Sequence, residues 1–344
     1  MTKPQPAVEV FAGLDVSARE IKIARVQGRE ENPTLATFTN NACGHKALLA
    51  FVLERTERVR VCLEASGNYS LDLALALQVH RQVKVSVINP RRARKFAESL
   101  GERSKTDPVD ARVLCQYAAR MPWESWQPPS SLALRLRALT RAIESLGVMH
   151  TQENNRAHAL GSSQALPALV LRERHRHQRY LENRMKQLRR EARRLIARDA
   201  DLDRRYRLML TVPGIGETSA LQILGELVVL SGTADARQWV AFSGLDPCTF
   251  TSGSSVEKRP RISRGGSRHL RHALYMPALV ALRREPHLRC FYERLLSRGK
   301  ARLQAVVAVM RKLLHALFAM FRANQPYDGS KLCSLEPIVS YKVA

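Results

Sequence analysis

The chain has 344 residues, enough for two or three packed domains, and 56 Lys and Arg against 31 Asp and Glu leave it a net charge of +25. Twelve of the 56 are lysine, which leaves 44 arginines. The arginine fork grips phosphate bidentately, so this excess suits a nucleic-acid partner better than generic solubility. A membrane is the competing partner for positive charge. No uninterrupted apolar span approaches the roughly 20 residues a transmembrane helix needs, and the best stretch, Ala305 to Phe321, is broken by Arg311, Lys312 and His315. No signal peptide precedes the first predicted strand. Cys43, Cys62, Cys115, Cys248, Cys290 and Cys333 are scattered without a C-x-x-C pair. Their spacing argues against a zinc knuckle or a disulfide framework and fits a reducing cytoplasm.

Val10 to Asp15 reads as a short buried strand ending on its acid, with Ile21 to Val26 and Thr34 to Thr39 as partner strands. A helix follows around Gly44 to Arg55. Val59 to Glu64 is another strand, and it too ends on an acid. An apolar helix from Leu71 to His80, a strand Val83 to Ile88 closed by Asn89-Pro90, and a basic helix Arg91 to Leu100 come next. The stretch Lys105-Thr-Asp-Pro-Val-Asp-Ala111 then opens a helix running from Asp110 to Arg120. Strands followed by alternating helices and strands describe a mixed α/β layer.

Asp107 and Asp110 have two readings. Asp107 can be the N-cap of a helix with Pro108 at its first position and Asp110 at its third. Alternatively the pair is half of a divalent-metal site completed by Asp15 and Glu64 from the strand ends. Carboxylates held close raise each other's pKa unless a cation neutralises them.

Met121 to Ser131, bearing Trp123, Trp126 and three prolines, is the clearest boundary in the chain. Beyond it, Leu132, Leu136, Leu139, Ile143 and Leu146 are spaced four, three, four, three. After a break at Gly161 to Pro167, Leu181, Met185, Leu188, Ala192 and Leu195 repeat the spacing. Such heptad seams predict a helical hairpin or an intersubunit coiled coil. The outer face carries Arg189, Arg190 and Arg193 among many arginines that few acids balance, which predicts phosphate contact. Pro213-Gly-Ile-Gly216 before an Ala- and Ile-bearing helix matches a helix-hairpin-helix element, in which Gly214 and Gly216 let backbone amides approach a DNA phosphate. A plain helical corner is the alternative. Finally, Ser252-Gly-Ser-Ser255 reads as a hydroxyl-bearing loop just before Lys258, Arg259, Arg261, Arg264, Arg268 and Arg271. A serine attacking phosphorus needs an exposed hydroxyl with cations nearby.

The ordered set Gly13-Leu-Asp15, Glu64-Ala-Ser-Gly-Asn-Tyr69, Val87-Ile-Asn-Pro90, Lys105-Thr-Asp-Pro-Val-Asp-Ala-Arg112, Met149-His-Thr-Gln-Glu153, Pro213-Gly-Ile-Gly216, Ser252-Gly-Ser-Ser-Val256 and Leu274-Tyr-Met-Pro-Ala278 resembles the DEDD-type insertion-sequence transposases of the bridge-RNA-guided recombinase family. The resemblance covers nearly the whole chain. It implies a RuvC-like domain of the RNase H fold over residues 8–125, a helical coiled-coil segment over 126–204, a mainly α transposase domain over 205–327 and a tail over 328–344. It further implies Asp15, Glu64, Asp107 and Asp110 as catalytic ligands of Mg²⁺ (or Mn²⁺), and Ser252 as a nucleophile forming a 5′-phosphoserine link. Implied partners are target and donor DNA, a structured non-coding guide (bridge) RNA and further copies of the chain, as a tetramer of paired dimers. The implied setting is the cytoplasm of a prokaryote, on the nucleoid when active, with no membrane. Two other readings stand beside it: a RuvC-like junction nuclease that uses water, with Ser252 a turn residue, and a non-catalytic binder of RNA or DNA. Tyr275, a further candidate nucleophile, lies in an apolar helical run and reads as core.

Overall fold

Period-two alternation of apolar side chains builds the first part of the chain into a sheet. The structure, a computed structural model, describes residues 9–28, 32–65, 67–102, 106–160, 167–252 and 256–335. The chain divides into two compact units, Met1–Pro128 and Pro129–Ala344.

In the first unit, β1 (Val10–Val16), β2 (Glu20–Gln27), β3 (Thr34–Thr39), β4 (Val59–Glu64) and β5 (Val83–Ile88) lie in the order β3-β2-β1-β4-β5. The first three strands form an antiparallel meander, and β4 and β5 add in parallel to β1. Parallel pairing requires crossovers, which α1 (Ala42–Leu53) and α2 (Asn68–Gln78) supply. Val10, Ala12, Leu14, Val59, Val61 and Leu63 face one side and bury Leu48 and Val52 of α1 with Leu73 and Leu77 of α2. On the other side, Phe11, Cys62 and Ile88 pack against α3 (Pro90–Ser99) and α4 (Asp107–Arg120) through Ala93, Leu114 and Tyr117. Both faces are covered, which gives a three-layer α/β unit compatible with an RNase H-like fold.

The predicted bounds of β3, β4 and β5 match the structure, and each of these four helices starts one to three residues before its predicted start. Capping explains two of the early starts. Asn41 accepts from the Gly44 amide ahead of α1, and Asn89 accepts from the Arg91 amide ahead of α3, whose first residue is Pro90.

Gly13 fixes where α4 crosses the sheet. A Cβ there would sit 2.0 Å from the Cys115 amide nitrogen, 2.2 Å from the Ala111 carbonyl oxygen and 2.6 Å from the Leu114 carbonyl carbon. Strand and helix backbones meet directly, and backbone cannot rotate out of the way. Gly13→Ala is therefore expected to destabilise the unit by about 3 kcal/mol, at the upper end of overpacking costs. A fall in the urea midpoint of unfolding at unchanged m-value checks it.

In the second unit, α5 (Ser131–Leu160) and α6 (Ala168–Ala197) form an antiparallel hairpin of helices. Gln178 donates to Asn154 at 2.8 Å, and His150 Nε2 lies 3.2 Å from Glu182. Leu136 and Ile143 of one predicted seam are buried, as are Leu181, Met185, Ala192 and Leu195 of the other. Leu136, Ala192 and Ile196 belong to a core shared with α7 (Ala200–Leu210), α8 (Glu217–Leu227), α9 (Ala236–Ser243), α10 (Arg268–Arg284), α11 (Pro286–Ser297) and α12 (Arg302–Ala323). By length and composition α12 would suffice to cross a membrane, despite Arg311 and Lys312. Its apolar stripe is instead spent on this core, where Val309, Leu313, Leu314 and Leu317 have no exposed surface. Between α9 and α10 the chain forms a two-stranded hairpin, β6 (Pro247–Ser252) and β7 (Val256–Ile262), whose strands the sequence reading did not name.

Candidate active site

Asp15 and Glu64 are the residues that follow the last registered pair of β1 and β4, Leu14 with Leu63. Strand alternation places both on the face that carries Phe11, Gly13 and Cys62, which is the face α4 covers. The first turn of α4 supplies Asp107 and Asp110, three residues apart and hence on one side of the helix. Ala111, the residue that touches Gly13, comes directly after Asp110. The Gly13 contact thus brings the start of α4 to the strand ends that carry the other two acids. Asp15, Glu64 and Asp110 are half-buried, and Asp107 is exposed.

One predicted detail is corrected. Thr106, not Asp107, is the N-cap of α4; the helix begins with Asp107, and Pro108 is its second residue. The first helical bond runs from the Asp110 amide to the Thr106 carbonyl at 2.9 Å. Position 107 is therefore inside the helix, and its carboxylate does not cap it. Lys105, which opened the predicted stretch, and Ser66 beside Glu64 lie outside the described residues.

Four carboxylates are a hard, oxygen-only donor set of the kind that suits a divalent cation. Among the described residues, however, no three His, Cys, Asp or Glu side chains converge tightly enough to hold an ion. The backbone gathers the acids on one face without closing them into a cage. Sequence reasoning missed one neighbour: Lys22 on β2 pairs in register with Asp15, and its ammonium lies 3.3 Å from Glu20. Only strand register reveals that cation beside the acids. Beneath them Cys62 and Cys115 are sealed in the core, where burial pushes both thiols up to about 12.

In the second unit, Ser252 is the last residue of β6 and pairs with Val256 across the hairpin. Gly253, Ser254 and Ser255 lie outside the described residues, and Ser252, Lys258 and Arg259 are placed here by strand register alone. The base of the hairpin is pinned. Ser263 donates to Asp246 through both its amide (2.9 Å, to the carbonyl) and its hydroxyl (2.5 Å), and the Ser267 amide donates to Phe242 at 2.6 Å. Arg271 donates to the carbonyls of Ser243 and Gly266 at 2.8 and 3.1 Å. That arginine braces the base instead of facing solvent. Arg193 is similarly engaged, 3.1 Å from Asp203 and stacked 4.2 Å over Tyr206. Arg190, Arg261, Arg264 and Arg268 are exposed, whereas Arg189 is half-buried with a shielded Nε. Tyr275, expected in the core, is 37% exposed.

A buried carboxylate ties the same base to α5. Glu226, 2% exposed, accepts from Arg141 at 2.6 and 3.1 Å and from the Ser267 hydroxyl at 2.7 Å, and Arg137 lies 3.7 Å away. Burial pushes its pKa up, but these partners outweigh burial and hold it below the ordinary carboxylate value. A depressed folded pKa contributes stability that is complete above the unfolded value of about 4.3 and is lost as pH falls through the lower folded value. Glu226→Gln is accordingly expected to cost about 2–3 kcal/mol at pH 7 by leaving charged partners unmatched. The gap to wild type should close in acid, which urea midpoints measured from pH 7 downward would show.

The Pro213–Gly216 turn joins α7 to α8 beside an open groove of about 430 Å³ that also takes in Val280 and Arg284. The two glycines differ. Gly214 has φ +99°, and a Cβ there would lie 2.6 Å from the Pro277 carbonyl, so its bareness serves packing on α10. Gly216 has open space around it and caps α8 with amides unobstructed by side-chain bulk.

Two family models match the chain. A DEDD model described as a transposase covers residues 12–160, and a model described as the transposase IS116/IS110/IS902 family covers residues 206–293. The first spans the acids, and the second spans Ser252 and the Pro213–Gly216 turn. A pilin gene-inverting protein of Moraxella bovis is 33% identical over 85% of this chain and 90% of its own length. The transposase of the insertion sequence element IS1328 of Yersinia enterocolitica is 25% identical over 60% of this chain and 66% of its own. An uncharacterized 43.6 kDa protein of the insertion element IS110 of Streptomyces coelicolor is 32% identical over 38% of this chain and 32% of its own. With acids on one sheet face, a serine at a hairpin end and relatives of this kind along most of its length, the chain belongs to the IS116/IS110/IS902 transposase family and is a DNA recombinase or transposase.

Proposed function

We propose that the chain is an RNA-guided site-specific recombinase that cuts and rejoins DNA through a 5′-phosphoserine at Ser252. The observation that carries this is the backbone contact at Gly13, which sets the first turn of α4 against the strand ends bearing Asp15 and Glu64. That contact gives a fixed acid face and leaves the serine to come from elsewhere. Asp15, Glu64, Asp107 and Asp110 would hold Mg²⁺ or Mn²⁺, which when bound neutralises the acids and the phosphodiester charge.

In this mechanism the Ser252 hydroxyl gives up its proton as its oxygen attacks phosphorus, the serine–phosphorus bond forms as the bond to the 3′ oxygen breaks, and the leaving 3′ oxygen takes up a proton to become a 3′-hydroxyl. The exposed Arg261, Arg264 and Arg268, with Lys258 and Arg259 on β7, hold the flanking phosphates. The amides at Gly216 add a sequence-independent phosphate contact. Rejoining is the reverse attack by a 3′-hydroxyl from the second DNA. The protein acts as a homo-tetramer in which serine and acids come from different copies, and a structured RNA selects target and donor by base pairing.

Guidance is tested by purifying the protein with its nucleic acid, treating it with RNase and assaying recombination between target and donor DNA. Activity should vanish and return when the discrete copurified RNA is added back. Full activity without RNA would overturn guidance while leaving the serine chemistry standing.

A further inference from the structure

A second cluster of reactive groups lies at the end of the described chain, in the second unit. Cys290 on α11 and Cys333, just past a 3₁₀ turn at Gly329–Lys331, both direct their thiols at one atom, the carbonyl oxygen of Ser334. Cys333 Sγ is 3.5 Å from that oxygen and Cys290 Sγ is 3.6 Å from it. The two thiols thus share one acceptor oxygen. Arg294, one helical turn beyond Cys290, donates to the same oxygen at 3.0 Å and lies 3.5 Å from the Cys290 sulfur. Further contacts hold the segment in place: His287 Nδ1 is 2.6 Å from the Cys333 carbonyl, and the Tyr327 amide donates to the Thr211 hydroxyl at 2.9 Å.

This arrangement differs from the other cysteines. Cys43 is exposed, with no thiol partner among the described residues, and Cys62 and Cys115 are sealed in the first core. Only at Cys290 does a half-buried thiol meet a guanidinium and share its acceptor with a second thiol among the described residues. A neighbouring thiol resolves the first oxidation product of a thiol as a disulfide.

We infer that Cys290 and Cys333 form a dithiol modification site, which a peroxide-class oxidant converts to a reversible disulfide fastening the C-terminal segment to α11. Cys290 sulfur attacks one peroxide oxygen; the sulfur–oxygen bond forms, the oxygen–oxygen bond breaks, and the departing hydroxide takes the thiol proton as water. Cys333 sulfur then attacks the Cys290 sulfenic acid; the sulfur–sulfur bond forms, and the second hydroxide leaves with the Cys333 proton. Two thiols and one peroxide give one disulfide and two waters.

The test uses the reduced full-length protein and hydrogen peroxide, followed by alkylation, digestion and mass spectrometry. A peptide pair joined through Cys290 and Cys333, two hydrogens lighter and reversed by dithiothreitol, is expected, while Cys62 and Cys115 stay reduced. In C333S the joined species should be lost, and dimedone should trap a sulfenic acid at Cys290. Cys290 and Cys333 both remaining thiols at a peroxide dose that oxidises Cys43 would overturn the proposal. So would Cys290 passing to sulfinic acid in the wild type with no joined peptide, since the thiols then do not meet.

Discussion

Asp15→Asn is expected to abolish strand cleavage while leaving DNA binding and the fold nearly untouched. Asn keeps the shape of the side chain and removes only its charge, on a residue at the end of β1 beyond the Gly13 contact. Loss of a ligand to a catalytic ion removes several kcal/mol of transition-state stabilisation, and each 1.36 kcal/mol is tenfold in rate, so a loss of at least about 10³-fold follows. Stability should move by no more than about 1 kcal/mol, because the cost of losing the cross-strand Lys22 neighbour is of that order. Binding rests on the arginine excess and is governed by phosphate contacts, so the slope of log K against log salt should stay the same. A single-turnover cleavage assay, paired with a salt titration of binding, measures both. Cleavage close to wild type would remove Asp15 from the mechanism. Asp110→Asn should repeat the pattern from the helix side, since Asp110 precedes the residue that touches Gly13.

What the sequence made legible was whatever depends on near neighbours. Period-two runs located β3, β4 and β5 to the residue, and Asp15 and Glu64 were visible at once because each followed an apolar run, although β1 continues one residue past its acid to Val16. That Asp15 and Glu64 share one face also follows from alternation, given the strand pairing. What escaped depends on partners far along the chain. Arg271 resembled its basic neighbours, yet the carbonyl of Ser243 claims it from 28 residues away. Glu226 looked like any helical acid, but Arg141 and Ser267 make it the tie between α5 and the hairpin base. Gly214 was expected to open the backbone to phosphate, whereas the Pro277 carbonyl on α10 fills that space. The strands β6 and β7 went unnamed because Thr, Ser and Gly dominate one end of the hairpin and Pro260 interrupts the other; they are held by mutual pairing and a pinned base instead of apolar alternation.

Ser252→Ala separates the covalent mechanism from water-directed hydrolysis on the same acids. The substitution removes one oxygen from the last residue of β6, where Thr251 still pairs with Glu257 and the Asp246–Ser263 contacts still fix the base, so the hairpin should persist. If serine is the nucleophile, no protein–DNA adduct resistant to denaturant forms, and strand exchange is lost by the many orders of magnitude that removing a nucleophile costs. If water is the nucleophile, cleavage persists and the products carry free 5′-phosphates with no attached peptide. Adding Asp15→Asn to Ser252→Ala sharpens the reading. Groups that act on one step are strongly non-additive, so the double variant should be no slower than the slower single one. Additive losses would mean that serine and acids serve different steps. A denaturing gel of labelled DNA run with and without protease reads the adduct directly. Persisting recombination in S252A would overturn the serine mechanism, whereas cleavage without rejoining would place the chain with the junction nucleases.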